Sequence, residues 1–330
     1  MQQSRRRPLG DIGNFHNSQP SKPNSTTKPN PPSCELRLRS IPPHRCTASL
    51  LPSASSPASP RADEKNRANP LHATDYLKEI FDHFRKTELV GRSSTNYMSR
   101  IQTDVNEKMR TILIDWLVDV HLKFKLLPET LFLAVEIIDR FLDKKVVSRQ
   151  KLQLVGVVAM LLAAKYEEIY PPEVKDFIYI AANTYTRDDI LRMERLMFST
   201  LDHNITCPTV YVFLKRGLQV MDADLKTHQL SQYLAELSLL EYKLLAHPPS
   251  LIGASCIYLA NKYLAVKQPW GRVLEHYCQY KLSDVEACAA EILTLSQNAP
   301  TQKTQAVRKK YSYAKYGEVA KLTQVAIQIP

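Results

Sequence analysis

The most constraining feature of this sequence is a segment that occurs twice. Gly156 with the following Leu162-Ala163-x-Lys165-Tyr166 recurs as Gly253 with Leu259-Ala260-x-Lys262-Tyr263, at an offset of about 97 residues. At the same offset, three upstream positions of one copy align with three of the other, namely Thr130, Leu133 and Ile137 with Thr227, Leu230 and Leu234. An offset of this size is the length of a small domain, so the sequence predicts two tandem copies of one domain.

Both copies are predicted to be helical. From about Ala73 onward, apolar residues recur with the period of a helix, connections are short, and the whole chain has only eight glycines. The repeated segment is rich in small residues, which let helices approach closely, so we expect it to be the central helix of each copy. These residues are Gly156, Ala159, Ala163 and Ala164, then Gly253, Ala254, Ser255 and Ala260. A chance similarity of two buried helices is the alternative, and the matching upstream positions speak against it.

Two helix starts can be predicted from capping patterns. Asp104-x-x-Glu107 provides a cap and a first-turn carboxylate ahead of the apolar run from Met109. Thr186-x-x-Asp189 does the same ahead of the run from Ile190.

Residues 1–70 differ in composition from the rest of the chain. They contain 12 of the 21 prolines among Ser, Asn and Thr, and too few apolar residues to offset the entropy of folding, so we predict a disordered tail. They also contain 11 Lys and Arg against 4 Asp and Glu, whereas the remainder contains 33 against 29. Because the net charge of +11 lies mostly in this tail, the helical part is not predicted to bind nucleic acid.

Several classes of protein are not expected from the motifs. The six cysteines include no Cys-x-x-Cys pair, which argues against a disulfide framework or a zinc site. No phosphate-binding loop or hydrolase motif occurs among the few glycines and nine histidines, so neither an enzyme nor a cofactor is predicted. The longest apolar stretch, Leu154 to Ala164, is too short to cross a bilayer, and no apolar segment follows Arg5-Arg6-Arg7, so we expect no membrane association.

The run from Met109 to Val120 is apolar over more of its circumference than a one-sided helix requires. Met109, Leu113 and Trp116 share one stripe of this helix. The helix is either buried all round, or this stripe is an exposed groove with Arg110 and Asp119 at its rim. Periodicity alone favours burial, because exposed apolar patches are the rarer case.

The same residues resemble a known family. Met109-Arg110-Thr111-Ile112-Leu113-Ile114-Asp115-Trp116 is similar to the cyclin-box signature Met-Arg-Ala-Ile-Leu-x-Asp-Trp, with Thr111 at the usual alanine. Residues 151–173 and 184–194 resemble the core and the final helix of that box, and the resemblance covers roughly 75–312. It implies an all-α protein with two tandem five-helix cyclin folds. Residues 71–203 would be the N-terminal box with a leading helix, 204–300 the C-terminal domain, and 301–330 an extension.

The resemblance implies a regulatory subunit that binds and activates a cyclin-dependent protein kinase. Lys165 and Glu194 match the family's kinase-binding lysine and glutamate, although from the residues alone Lys165 could simply extend from the apolar run to solvent or to Glu194. The apolar part of this interface would come from Leu162, Tyr166 and Ile205, with Tyr76, Ile80 and His83 on the leading helix. His203 departs from the aromatic residue that is usual at its position.

The resemblance also implies a docking groove for Arg-x-Leu peptides of substrates or inhibitors. It would consist of the stripe Met109, Leu113 and Trp116 with Arg110, bordered by Leu152 and Gln153. Asp119 would pair with the basic residue of the peptide, and Thr111 would face away.

The predicted tail contains a second motif. Arg6-x-x-Leu9-x-x-Ile12-x-Asn14 is similar to the destruction box of mitotic, B-type cyclins, which implies recognition by a mitotic ubiquitin ligase. Ser56-Pro57 and Ser59-Pro60 are candidate phosphorylation sites. A B-type cyclin of the nucleus and cytoplasm is therefore expected. An A-type cyclin is one alternative, and a nucleic-acid-binding transcription adaptor with tandem cyclin folds is another.

Overall fold

The computed structural model describes residues 62–324, together with 327 and 329. The predicted destruction box (Arg6, Leu9, Ile12 and Asn14) and the candidate phosphorylation sites Ser56 and Ser59 lie outside these residues. Within the described part of the chain there is no strand, so the predicted all-α class is confirmed. No helix in that part is long and apolar enough to cross a membrane.

The first copy of the repeat consists of five helices. They are α3 (Glu107–Phe124), α4 (Pro128–Leu142), α5 (Arg149–Glu167), α6 (Val174–Ile180) and α7 (Arg187–Thr200). Two helices precede them, α1 (Leu77–Thr87) and the short α2 (Tyr97–Arg100).

The second copy repeats this arrangement. Its helices are α8 (Val210–Val220), α9 (Leu225–Leu240), α10 (Pro249–Tyr263), α11 (Arg272–Cys278) and α12 (Leu282–Asn298). The short helix α13 (Ala306–Lys310) follows, and then a 3₁₀ segment, Val319–Gln324. The two tandem helical domains predicted from the internal repeat are thus present, and each has the five helices that the resemblance implied.

The two repeated segments form α5 and α10, and each is the central helix of its copy. Helix α5 packs against α3, α4, α6 and α7, and α10 packs against α8, α9, α11 and α12. A methyl group on Gly156 would lie 2.7 Å from Cδ1 of Leu113 on α3. A methyl group on Gly253 would lie 3.1 Å from the backbone nitrogen of Leu214 on α8. The small residues therefore permit the close helix contacts that were predicted.

One of the two predicted caps differs in the structure. Thr186 and Asp189 form the expected capping box of α7. Helix α3 is instead capped by Asn106, whose side chain accepts a hydrogen bond from the backbone N–H of Met109. Asp104 accepts hydrogen bonds from the backbone and the guanidinium of Arg149, at 2.8 and 2.6 Å. Helix α3 begins at Glu107, so Asp104 lies two residues before the N-cap position and pairs instead with the start of α5.

The leading helix α1 packs on the second copy, although the sequence analysis grouped it with the first. The rings of Phe81 and Phe213 lie 6.4 Å apart, and Arg85 donates a hydrogen bond to the carbonyl of Cys278. The carboxylate of Glu88 accepts from the backbone N–H of Ser250 at 2.9 Å. These contacts lie more than 100 residues apart in sequence, which is why no local pattern revealed them.

The predicted tail must also be shortened at its C-terminal end. Asp63 makes a two-point ion pair with Arg216 of α8, at 2.5 and 2.7 Å. The guanidinium of Arg216 lies over the rings of Phe81 and Tyr277. Residues 62–70 are therefore attached to the second copy and do not belong to a disordered segment.

Candidate functional site

An open cleft lies beside α5 and α7 and has a volume of about 390 Å³. The residues that line it are Leu162, Lys165, Tyr166, Glu194, Arg195, Phe198 and Ile205. Five of them were assigned to kinase binding from the sequence, and the structure brings those five together.

The polar part of the cleft is an ion pair at its surface. The Nζ atom of Lys165 lies 2.6 Å from Oε1 of Glu194, and the two side chains are 46% and 17% exposed. Lys165 thus extends from the apolar helix α5 to a neighbouring carboxylate. The alternative interpretation, in which the lysine simply reaches Glu194 without any partner, predicts the same contact. An exposed pair of this kind contributes only about 0–1 kcal/mol to stability, so exchanging it for contacts with a partner would cost little.

The apolar part combines a buried floor with exposed aromatic rings. Leu162 and Ile205 are each 6% exposed, whereas Tyr166 is 51% and Phe198 36% exposed. The hydroxyl of Tyr166 lies 2.6 Å from Oγ1 of Thr206, which fixes the position of its ring. Aromatic side chains of this kind are enriched at the centres of protein interfaces.

Two residues of the cleft were missed by the sequence analysis, Arg195 and Phe198. Phe198 lies four residues after Glu194 and so on the same face of α7, which is the signal that could have identified it. His203, the departure from the family pattern, packs edge-on against Phe198 with ring centroids 4.9 Å apart. The histidine therefore supports the aromatic wall of the cleft.

The leading segment contributes nothing to the lining of this cleft. Tyr76 is 68% exposed, His83 is exposed, and Ile80 is partly exposed. Tyr76, Ile80 and His83 are not among the residues that line the cleft, so their predicted contact with a kinase stays a prediction.

The proposed docking stripe on α3 is more deeply buried than the family resemblance implied. Leu113 and Leu152 are completely buried, so they cannot form an exposed floor. Met109 and Trp116 are half-buried, and Ile112, which the sequence analysis did not select, is 45% exposed. The exposed apolar stripe therefore consists of Met109, Ile112 and Trp116.

Arg110 is not at the rim of this stripe. It is 1% exposed, and its Nε and Nη2 atoms donate to the two carboxylate oxygens of Asp139, each at 2.7 Å. Its Nη1 atom donates to the carbonyl of Leu239 in the second copy. The rim position is corrected because this guanidinium joins α3, α4 and α9 in the interior.

The remaining predicted residues of the stripe are at the surface. Asp119 is exposed, and Gln153 is half-buried and accepts a hydrogen bond from the hydroxyl of Tyr185 at 3.4 Å. Thr111 donates to the carbonyl of Leu240 at 2.9 Å, so it faces the second copy and away from the stripe, as expected.

The structure and these surfaces define a class: a two-domain helical protein with a cleft suited to a protein partner. Among the described residues, no cluster of His, Cys, Asp and Glu could hold a metal ion. Two family models match the chain: "Cyclin, N-terminal domain" over residues 79–206 and "Cyclin, C-terminal domain" over residues 208–325. The chain belongs to the cyclin family.

Individual relatives agree with this assignment. "G2/mitotic-specific cyclin-2" of Medicago sativa is 44% identical over 78% of this chain and 79% of its own length. "Cyclin-B2-2" of Arabidopsis thaliana is 44% identical, and "Cyclin-A1-1" of Oryza sativa subsp. japonica is 46% identical, each over 78% of this chain. The matched part spans 60% of the length of Cyclin-B2-2.

A solved structure supports the fold. The viral cyclin of herpesvirus saimiri superposes with a TM-score of 0.60 at 20% identity, covering 66% of this chain and 96% of that one. Cyclins are regulatory subunits and not enzymes, which agrees with the prediction made from the motifs.

Proposed function

We propose that this chain is a B-type cyclin that binds and activates a cyclin-dependent protein kinase at the transition from G2 to mitosis. The observation that carries the proposal is the partly exposed ion pair of Lys165 and Glu194 beside the aromatic rings of the cleft. Both residues match the family's kinase-binding positions. A kinase suits this cleft as a partner, because a helix and loops of the kinase would pack against it.

The proposed mechanism is allosteric. The first copy would pack on the kinase helix whose glutamate must pair with the ATP-binding lysine, and binding energy would hold that arrangement. Tyr166 and Phe198 would supply apolar area, and Lys165 and Glu194 would fix the orientation. All catalytic residues would belong to the kinase.

The test is the double substitution Lys165→Ala with Glu194→Ala. We expect kinase affinity to fall at least about tenfold, with a matching loss of histone phosphorylation, because both orienting charges are removed. The matched control is Lys321→Ala with Glu318→Ala, which removes an exposed ion pair of 2.7 Å elsewhere. Unchanged binding by the first variant would refute the assignment of the cleft.

The B type is proposed on two segments of sequence, because relatives of both types have similar identity to this chain. One is the destruction-box pattern Arg6-x-x-Leu9-x-x-Ile12-x-Asn14, and the other is the segment from Ala306 to Ser312. Replacing Arg6 and Leu9 by alanine should stabilise the protein through mitotic exit. Degradation at the normal rate would remove the proposed ubiquitin-ligase signal.

We also propose that the stripe of Met109, Ile112 and Trp116 docks Arg-x-Leu peptides. The leucine of the peptide would contact the apolar stripe, and Asp119 would receive its basic residue. Trp116→Ala should weaken the binding of such a peptide about tenfold, because an aromatic residue is the type of side chain that dominates binding energies. Kinase binding by the same variant is the control.

A further inference from the structure

The docking stripe is bordered on one side by the C-terminal segment of the chain. Helix α13 packs against α3, and the backbone N–H of Ala306 donates to Oδ1 of Asp115 at 2.9 Å. Asp119 lies one turn further along the same edge of α3. Lys309 is exposed and lies three residues after Ala306, near the end of α13.

The position of Lys309 is fixed by buried contacts on both sides. The Nζ atom of Lys310 binds the two carboxylate oxygens of Glu236 at 2.7 and 2.9 Å. The hydroxyl of Tyr311 donates to Glu236 at 2.7 Å, and Val307 is 1% exposed. Because these anchors hold α13 against α3 and α9, Lys309 remains beside the acidic edge.

The charges of Lys309 and Asp119 interact. Although the residue is exposed at the surface, desolvation by the neighbouring protein raises the pKa of Asp119, and the Lys309 ammonium opposes this effect by favouring the charged carboxylate. Asp119 is also the group that the docking proposal assigns to the basic residue of the peptide. A single carboxylate would therefore face two cations, one from this chain and one from the ligand.

We propose that Lys309 competes with the basic residue of a docking peptide for Asp119 and so lowers the affinity for Arg-x-Leu peptides. The inference rests on the proposed docking function of the stripe. It makes the C-terminal segment a specificity element, since peptides that bind only through apolar contacts escape this competition. The interaction of exposed charges is weak, so the expected effect is about two- to fivefold in affinity.

The test uses the full chain and two fluorescent peptides, one containing Arg-Arg-Leu and a twin containing Ala-Ala-Leu. We expect Lys309→Ala to tighten binding of the arginine peptide about two- to fivefold and to leave the twin unchanged. Lys303→Ala removes an exposed lysine of the same segment outside α13 and should change neither. In an Asp119→Asn background, Lys309→Ala should lose its effect, which is the signature of direct coupling.

The outcomes separate this inference from the docking proposal. If binding depends on Trp116 but Lys309→Ala leaves the affinity for the arginine peptide unchanged, the competition is refuted and the docking stripe remains. If neither the wild type nor Lys309→Ala shows binding that depends on Trp116, the docking stripe is refuted and the competition with it. Thermal unfolding of each variant shows that the fold is retained.

Discussion

At the scale of single residues, α3 combines interior and surface charges within a few turns. Arg110 is buried against Asp139, whose other contact is the hydroxyl of Tyr97 at 2.7 Å, whereas Asp119 is exposed. The sequence could not separate the two cases, because the partner of Arg110 lies 29 residues away. Helical periodicity gives the direction of a side chain but not the neighbour that covers it.

Arg110→Ala should lower the free energy of unfolding by about 3–5 kcal/mol, because it leaves the buried Asp139 carboxylate without its counter-charge. Chemical denaturation measures this loss. Lys108→Ala, at an exposed position of the same helix, should change stability by no more than about 0.5 kcal/mol. If Arg110→Ala instead kept wild-type stability and bound docking peptides more weakly, Arg110 would belong to the rim of the stripe and not to the interior.

The stability of the folded chain should depend on pH through Asp115. Burial, together with the nearby Asp119, raises its pKa from 3.8 to about 6, while the N–H groups of Ala306 and Gln305 oppose the shift. Because the folded state holds the proton more tightly, the stability contributed by this group is complete below pH 3.8 and is lost as the pH rises through about 6.

Asparagine cannot ionise but can still accept the hydrogen bond from Ala306. The Tm of Asp115→Asn relative to wild type should therefore increase from pH 5 to pH 8, by an amount on the order of 2 °C for a chain of this size. The Tm of both proteins is measured at the two pH values. An equal difference at both would show that Asp115 does not titrate differently on folding.

At the scale of helices, the central position of α5 and α10 follows from their small residues. The prediction succeeded because a close helix contact requires small side chains at regular spacing, which is visible in the sequence. Periodicity favoured burial of Leu113, whereas the resemblance implied an exposed groove. The leucine is buried because its neighbour in space is Gly156, whose lack of a side chain admits it into the core. That contact joins residues of different helices and has no local pattern.

Gly253→Ala tests the close contact of α10 with α8. The new methyl group would lie 3.1 Å from the nitrogen of Leu214 and 3.2 Å from the carbonyl oxygen of Val210, both backbone atoms that cannot rotate away. We expect the free energy of unfolding to fall by about 1–3 kcal/mol. Gly271→Ala is the control, since its methyl group would meet only the Gln268 side chain, at 3.6 Å or more. Equal stability of Gly253→Ala and wild type would contradict this packing.

At the scale of the whole molecule, segments outside the two repeats join them. Helix α1 precedes the first copy but packs on the second, and α13 follows the second copy but packs on α3 of the first as well as on α9. The repeat was evident from the sequence, but these attachments were not, because ion pairs such as that of Asp63 with Arg216 span 153 residues. The cleft beside α5 and α7 was largely predictable through family motifs, since Lys165 and Glu194 lie within them.

The claim that this cleft binds a kinase is tested most directly by exchanging its charges. Lys165→Glu with Glu194→Lys keeps an ion pair within the chain, so we predict that the Tm stays close to that of the wild type. Affinity for the cyclin-dependent kinase should fall at least about tenfold, and histone phosphorylation should fall with it, because each charge now repels its partner on the kinase. Wild-type affinity and activation by this folded variant would contradict the claim.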